Sequence, residues 1–171
     1  MRKLLVMTAV IGAALAPVAS AADPGPADTK NAAKYCKKLR AASGSNFASM
    51  FGTKKNAYGK CVSSTAKKTA SEDARQADAA KTNAAKECKA EGLKGREYGK
   101  CVSTRAKAKK DAADDEDAEQ QKDRVNAAKT CKAAKNDDAD AFAEKYGSRR
   151  NAFGKCVSRT AKELAAERKA S

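Results

Sequence analysis

Apolar residues in this chain fall into short helical stripes separated by long polar stretches. The clearest stripe follows Asn151: Phe153, Cys156, Val157, Thr160, Ala161 and Leu164 recur three and four apart, the spacing of one face of an α-helix. Asn151 stands where an N-cap is expected. An earlier stripe repeats it as Asn56, Tyr58, Cys61, Val62, Thr65 and Ala66. Ahead of each lies an aromatic pair four residues apart, Phe47 with Phe51 and Phe142 with Tyr146, which predicts a helical turn with both rings on one side. Asn136, Asp137 and Asp138 offer a cap for the later turn and Gly147 a stop, whereas the earlier one begins in Ser43, Gly44, Ser45 and Asn46.

Between the stripes, Ala66 to Lys86 and Ala106 to Lys129 contain neither Pro nor Gly, so helix is predicted through both. Lys107 with Asp111 and Lys110 with Asp114 sit one turn apart and support it weakly, the acid lying C-terminal to the base. Val125 is the lone bulky apolar residue in these linkers, which are therefore expected to be solvated on all sides. Asn83 and Asn126 leave two courses open: a linker that runs straight into the next arm, or a fresh cap and a bend.

These elements belong to a repeat. Asn31 to Lys67 aligns without gaps on Asn126 to Lys162, and a shortened copy, NAAKECKAEGLKGREYGKCVSTRAK, occupies Asn83 to Lys107. Repetition at this spacing predicts several copies of one supersecondary unit. In the short copy the cysteines flank AEGLKGREYGK, where Gly92 and Gly95 mark the turn of a tight αα-hairpin. It has Arg96-Glu97 where the other copies have their capping Asn. Gly59, Gly99 and Gly154 each precede a second cysteine by two residues, which suggests close helix approach beside a bridge. The organisation predicted is a lead-in over 22–30, repeats over 31–67, 83–107 and 126–171, and helical linkers over 68–82 and 108–125. Pro24, Gly25 and Pro26 make the lead-in read as flexible.

Compartment decides what the cysteines mean. Arg2 and Lys3, the apolar run Leu4 to Ala16, Pro17 and the small residues Ala19-Ser20-Ala21 read as a secretory signal cleaved after Ala21. The run is too short to span a bilayer, and no second long apolar stretch follows. In an oxidising space six cysteines form disulfides by default. A zinc site lacks both His and closely spaced cysteine pairs, so no metal and no cofactor are expected. Equivalence of the copies selects Cys36 with Cys61, Cys88 with Cys101, and Cys131 with Cys156. Bulky apolar residues are few and gather around these cysteines, so each unit depends on its staple. The fold class expected is all-α: three stapled hairpins joined by charged alanine-rich helices, elongated and beaded rather than globular.

The paired NAAK-x-C and NA-aromatic-GKCVS segments resemble those of uncharacterised secreted cysteine-repeat proteins of high-GC Gram-positive bacteria. The resemblance covers all three copies and stops at the linkers. It implies export and repetition and carries no activity to transfer.

Function is therefore read from charge. The formal net charge of +15, less the two charges of Arg2 and Lys3, leaves +13 on the exported chain. Each inter-helix turn is basic: Lys54-Lys55, Lys94 with Arg96, and Arg149-Arg150. Lys60, Lys100 and Lys155 follow at the GKC step. These nine residues are the candidate anion-binding set, and repeated weak contacts suit an anionic polymer such as cell wall, or phospholipid head groups. Sequence-specific nucleic-acid reading has no motif to support it. The bland reading is that the lysines keep an alanine-rich spacer soluble. A membrane-active cationic hairpin would need an exposed apolar face, and only the closing arms offer one. Enzymatic chemistry is not expected without His as general base. The acidic block from Asp111 to Glu119 lacks the glycine turn of a calcium loop and reads as a solvated helix segment.

Overall fold

Alanine and lysine dominate the stretches between cysteines, and both are strong helix formers. A computed structural model describes residues 23–52, 55–148 and 151–171. Among these residues every regular element is helical and no strand occurs. Helix α1 spans Pro26–Ser43, and a 3₁₀ turn, Gly44–Asn46, leads into α2, Phe47–Phe51. Then follow α3 (Ala57–Ala90), α4 (Gly95–Asp137), α5 (Ala139–Tyr146) and α6 (Ala152–Ala170). The expected secretory signal, Met1 to Ala21, lies outside the described residues.

The flexible lead-in is shorter than its composition suggests. Pro26 opens α1 from the first helical position, where its missing N–H takes no bond from the helix. The Gly25 amide donates to the Asp28 carboxylate at 2.8 Å and fixes the entry.

The linkers run straight. Asn83 and Asn126 lie inside continuous helices and start nothing new, giving α3 34 residues and α4 43. At 1.5 Å per residue these are about 51 and 65 Å long. The turn between them has Gly92 at φ 74° and Gly95 at φ 55°, left-handed conformations that favour glycine. Beside that turn Cys88 joins Cys101, and the other two predicted pairs also form, Cys36–Cys61 and Cys131–Cys156. Their Cα–Cα separations are 6.0, 6.1 and 6.0 Å in chain order.

Local detail recurs in the two long copies. Phe47 faces Phe51, and Phe142 faces Tyr146, with ring centroids 4.9 Å apart in both pairs. Cys36 Sγ lies 3.8 Å from Thr65 Oγ1, as Cys131 Sγ does from Thr160 Oγ1. Asp138 caps α5, its carboxylate accepting from the Ala141 amide at 2.8 Å, and Gly147 ends that helix. Asn56 and Asn151 occupy the N-cap positions of α3 and α6 without a side-chain cap bond.

The expected beads are not independent. Tyr35, Leu39 and Phe47 of the first copy share one buried cluster with Phe142, Phe153 and Val157 of the third. Ala127 and Ala128 of α4 complete it, both with no exposed surface. Lys135 of the third copy also donates to the Asn46 side chain of the first at 2.7 Å. The linkers are not solvated on all sides either. Ala66, Ala70, Ala80 and Ala84 of α3 are buried in the packing. Gln76 on α3 donates to Asp117 on α4 at 3.1 Å, which marks the antiparallel register midway along the pair. Alanine is the physical reason: it has too little surface to read as apolar, yet lets two helix backbones pack closely.

The two long helices thus form an antiparallel hairpin. One end, the base, is clothed by α1, α2, α5 and α6 around the shared core. The other end projects as two helices alone to the Gly92–Gly95 turn. Of the three glycines before a second cysteine, only Gly59 has a tight neighbour, Asn56 Oδ1 at 3.1 Å from a built Cβ. A Cβ at Gly99 would meet nothing within 4 Å, and at Gly154 only Met50 Cγ at 4.0 Å. Close helix approach therefore does not explain these positions.

Candidate anion-binding site

Chain direction decides where the basic turns go. α1 and α4 both run toward the base and α3 and α6 both start from it, so the turns of the first and third copies share one end. The middle turn lies at the other, about 50 Å away along α3 at 1.5 Å per residue. The six described candidate cations therefore form two groups rather than one tip for each copy. At the base stand Lys55, Lys60 and Lys155, all exposed. Lys54, Arg149 and Arg150 belong to the same turns by sequence but lie outside the described residues. At the far end Lys94, Arg96 and Lys100 are exposed.

Gly52 helps to shape the base end. Its φ of 105° folds the chain under the Lys60 side chain, whose Nζ would lie 3.1 Å from a Cβ at that position. Tyr58, on the same first turn of α3, is 36% exposed and donates its hydroxyl to the Ala33 carbonyl at 3.1 Å. Its counterpart Phe153 is 2% exposed and fills the core. The same position in two copies thus serves surface in one and packing in the other.

The paired cations all lie away from the turns. Among the described residues, the salt bridges use Lys68, Arg105, Lys109, Lys110, Lys122, Arg159, Arg168 and Lys169, all on helical arms. None uses Lys55, Lys60, Lys94, Arg96, Lys100 or Lys155. Lys110 meets Asp114 as the one-turn spacing predicts, at 2.6 Å, while Lys107 takes no part in a described bridge.

The acidic block is not simply solvated. Glu116 accepts from Arg168 of α6 at 3.0 and 3.3 Å, and Arg168 also reaches the buried Asp123 at 3.3 Å. These bonds fasten the last turns of α6 to the middle of α4. The Arg168 hydrogen bonds, then those from Gln120 and Lys169, hold Glu116 down to about 2 from its usual 4.5. A depressed carboxylate stabilises the fold above its unfolded pKa and loses that contribution as pH falls through the folded one. The contact should therefore weaken between about pH 4.5 and about pH 2. Amide exchange in the last two turns of α6 should speed up over that window, and Arg168→Gln should remove the pH dependence. Unchanged protection of these amides down to pH 2 would contradict the clasp.

Asp73 moves the other way. Burial pushes its carboxyl up, Lys110 opposes that, and Asp114, Asp28 and Asp117 reinforce it. These four aspartates line a groove among α1, α3 and α4. Among the described residues, no group of three or more Cys, Asp or Glu is arranged to hold a metal ion. No described helix is long and apolar enough to cross a membrane.

Sequence reasoning missed this groove and the clasp. Ala66, Ala70, Asp73, Ala77, Ala80, Ala84 and Cys88 recur four and three apart, a packing seam with one aspartate in it. That periodicity was the available signal. The chain matches no protein-family model, and no curated protein or solved structure matches it.

Proposed function

We propose that the protein is an exported, non-enzymatic cationic scaffold that binds anionic cell-envelope polymer through its basic inter-helix turns. The scaffold is elongated, with three disulfide-stapled hairpin repeats along one long helix pair. One observation carries the reading: among the described residues, the turn cations Lys55, Lys60, Lys94, Arg96, Lys100 and Lys155 are all exposed and none takes an acid partner. Surface ion pairs lower the charge that a ligand meets, so unpaired cations grouped at a turn present theirs in full. Charge distribution supports it further. Residues 34–63 carry seven basic and no acidic residues, and residues 129–159 carry eight and four. The described residues of both segments belong to the base. The secretory signal and the resemblance to secreted repeat proteins support the envelope as the place of action.

A pure spacer is the second reading, and the continuous α3–α4 pair favours it. Retention of the oxidised protein on purified cell walls across a salt series separates the two. Polymer binding predicts retention that falls steadily with salt, since bound cations release counter-ions. Replacing Lys54, Lys55, Arg149 and Arg150 by Gln should weaken retention by about tenfold or more and flatten the salt slope. Absence of retention at low salt would leave the spacer.

A further inference from the structure

We propose that one molecule bridges two separate anionic polymer strands, one gripped at each end of the helix pair. The inference rests on the binding reading above and adds a valency of two and a spacing. Three observations point to it.

Charge alternates in sign along the long axis. The base holds the two basic segments already described. The far end, from Lys86 to Lys110, has nine basic and three acidic residues. Between them on α4, Asp111 to Asp123 has seven acidic residues and a single lysine. On α3 the facing stretch from Glu72 to Asp78 adds three acidic residues against Arg75, so the waist stays net acidic. A polyanion lying lengthwise on the molecule would cross this acidic waist and be repelled there. Two strands, each across one end, meet an excess of cations at both.

The ends are electrostatically independent. They stand about 50 Å apart at 1.5 Å per residue of α3, several times the roughly 8–10 Å over which salt screens exposed charges. Neither bound strand weakens the grip on the other.

The separation is held by the fold. α3 and α4 run without a break between the ends. Cys88–Cys101 ties them beside the far turn, and Cys36–Cys61 and Cys131–Cys156 tie their other ends into the base. A flexible tether of the same length would let both grips fall on one strand. A stapled helix pair holds the second grip away from the first strand and offers it to another.

Long-chain sodium polyphosphate serves as a defined probe. Light scattering is followed as oxidised protein is added, with binding measured separately by retention on immobilised polyphosphate. Bridging predicts scattering that peaks at intermediate ratios and redissolves in excess protein, when every strand is saturated with singly attached molecules. The variant Lys94→Gln, Arg96→Gln, Lys100→Gln should still be retained through the base, while its scattering maximum falls about tenfold or more. Lys67→Gln, Lys81→Gln, Lys162→Gln removes equal charge from exposed positions on the arms and should scatter like the parent. Circular dichroism of both variants checks that the helices persist. Retention without a scattering maximum overturns the bridge and leaves the binding reading standing. Equal loss in both variants also overturns it, because net charge then explains the aggregation. Failure of the parent to be retained overturns both readings.

Discussion

Phe153→Ala is expected to loosen both long copies together, although the substitution lies in only one. Phe153 is 2% exposed, and its cluster includes Tyr35, Cys36 and Leu39 from α1 and Phe47 from α2. Truncating a buried phenylalanine removes its transfer free energy and leaves a cavity, together about 3–5 kcal/mol. In a domain of this size that lowers the melting temperature by roughly 10 °C. The informative readout is location. Amides of α1 should lose exchange protection in parallel with those of α6, because one core holds both. The counterpart change Tyr58→Ala removes a ring at the edge of the packing, 36% exposed, and a single hydrogen bond to the Ala33 carbonyl, the bond worth about 1 kcal/mol. Two aligned positions of one repeat thus differ several-fold in effect. Protection of α1 that survives Phe153→Ala would restore independent beads and sink the shared core.

This asymmetry marks where sequence stops being legible. Features set by neighbouring residues read correctly: the Gly92 and Gly95 turn, the Asp138 cap, the aromatic pairs four apart and the three disulfides. The turn, the cap and the aromatic pairs depend on one residue's conformational freedom or on spacing within a turn or two, and the disulfide pairing on the equivalence of the copies. Packing of the first copy on the third depends instead on faces 95 positions apart in the alignment of Asn31 with Asn126. Those faces combine Tyr35, Leu39, Phe47, Phe142 and Phe153 with alanine, and alanine serves a solvated helix and a close-packed seam equally well. Hydropathy therefore sees nothing at Ala84, Ala127 or Ala128, though all three are fully buried. The site was half legible for the same reason. Which cations occupy turns follows from the repeat; that the turns gather at two ends follows from whether α3 bends at Asn83, and helix propensity alone does not decide that.

The second large effect concerns the staples, which sequence treats as equivalent and the fold does not. Chain entropy ranks them closely: closing 25 residues contributes about 3.5 kcal/mol and closing 13 about 3 kcal/mol. Surroundings rank them far apart. Cys36, Cys61 and Cys131 have no exposed surface and Cys156 has 2%, all within the shared core. Cys88 has no exposed surface either, but its partner Cys101 is partly exposed, and both sit on an arm of only two helices. A reductant reaches the outer sulfurs after the base opens, and reaches Cys88–Cys101 after a local opening of the arm. Under mild reductant Cys88 and Cys101 should therefore be alkylated first, with the other four protected until the base melts. Cys88→Ala with Cys101→Ala should leave base stability nearly unchanged while freeing amides between Glu87 and Arg105. Cys131→Ala with Cys156→Ala should lower base stability by roughly 3–4 kcal/mol, the loop term with a small packing loss added. Because those sulfurs touch the common core, α1 should again be exposed along with α6. Alkylation of Cys36 or Cys131 at the rate of Cys101 would mean that the base opens as easily as the arm, and would remove the shared core as the source of its stability.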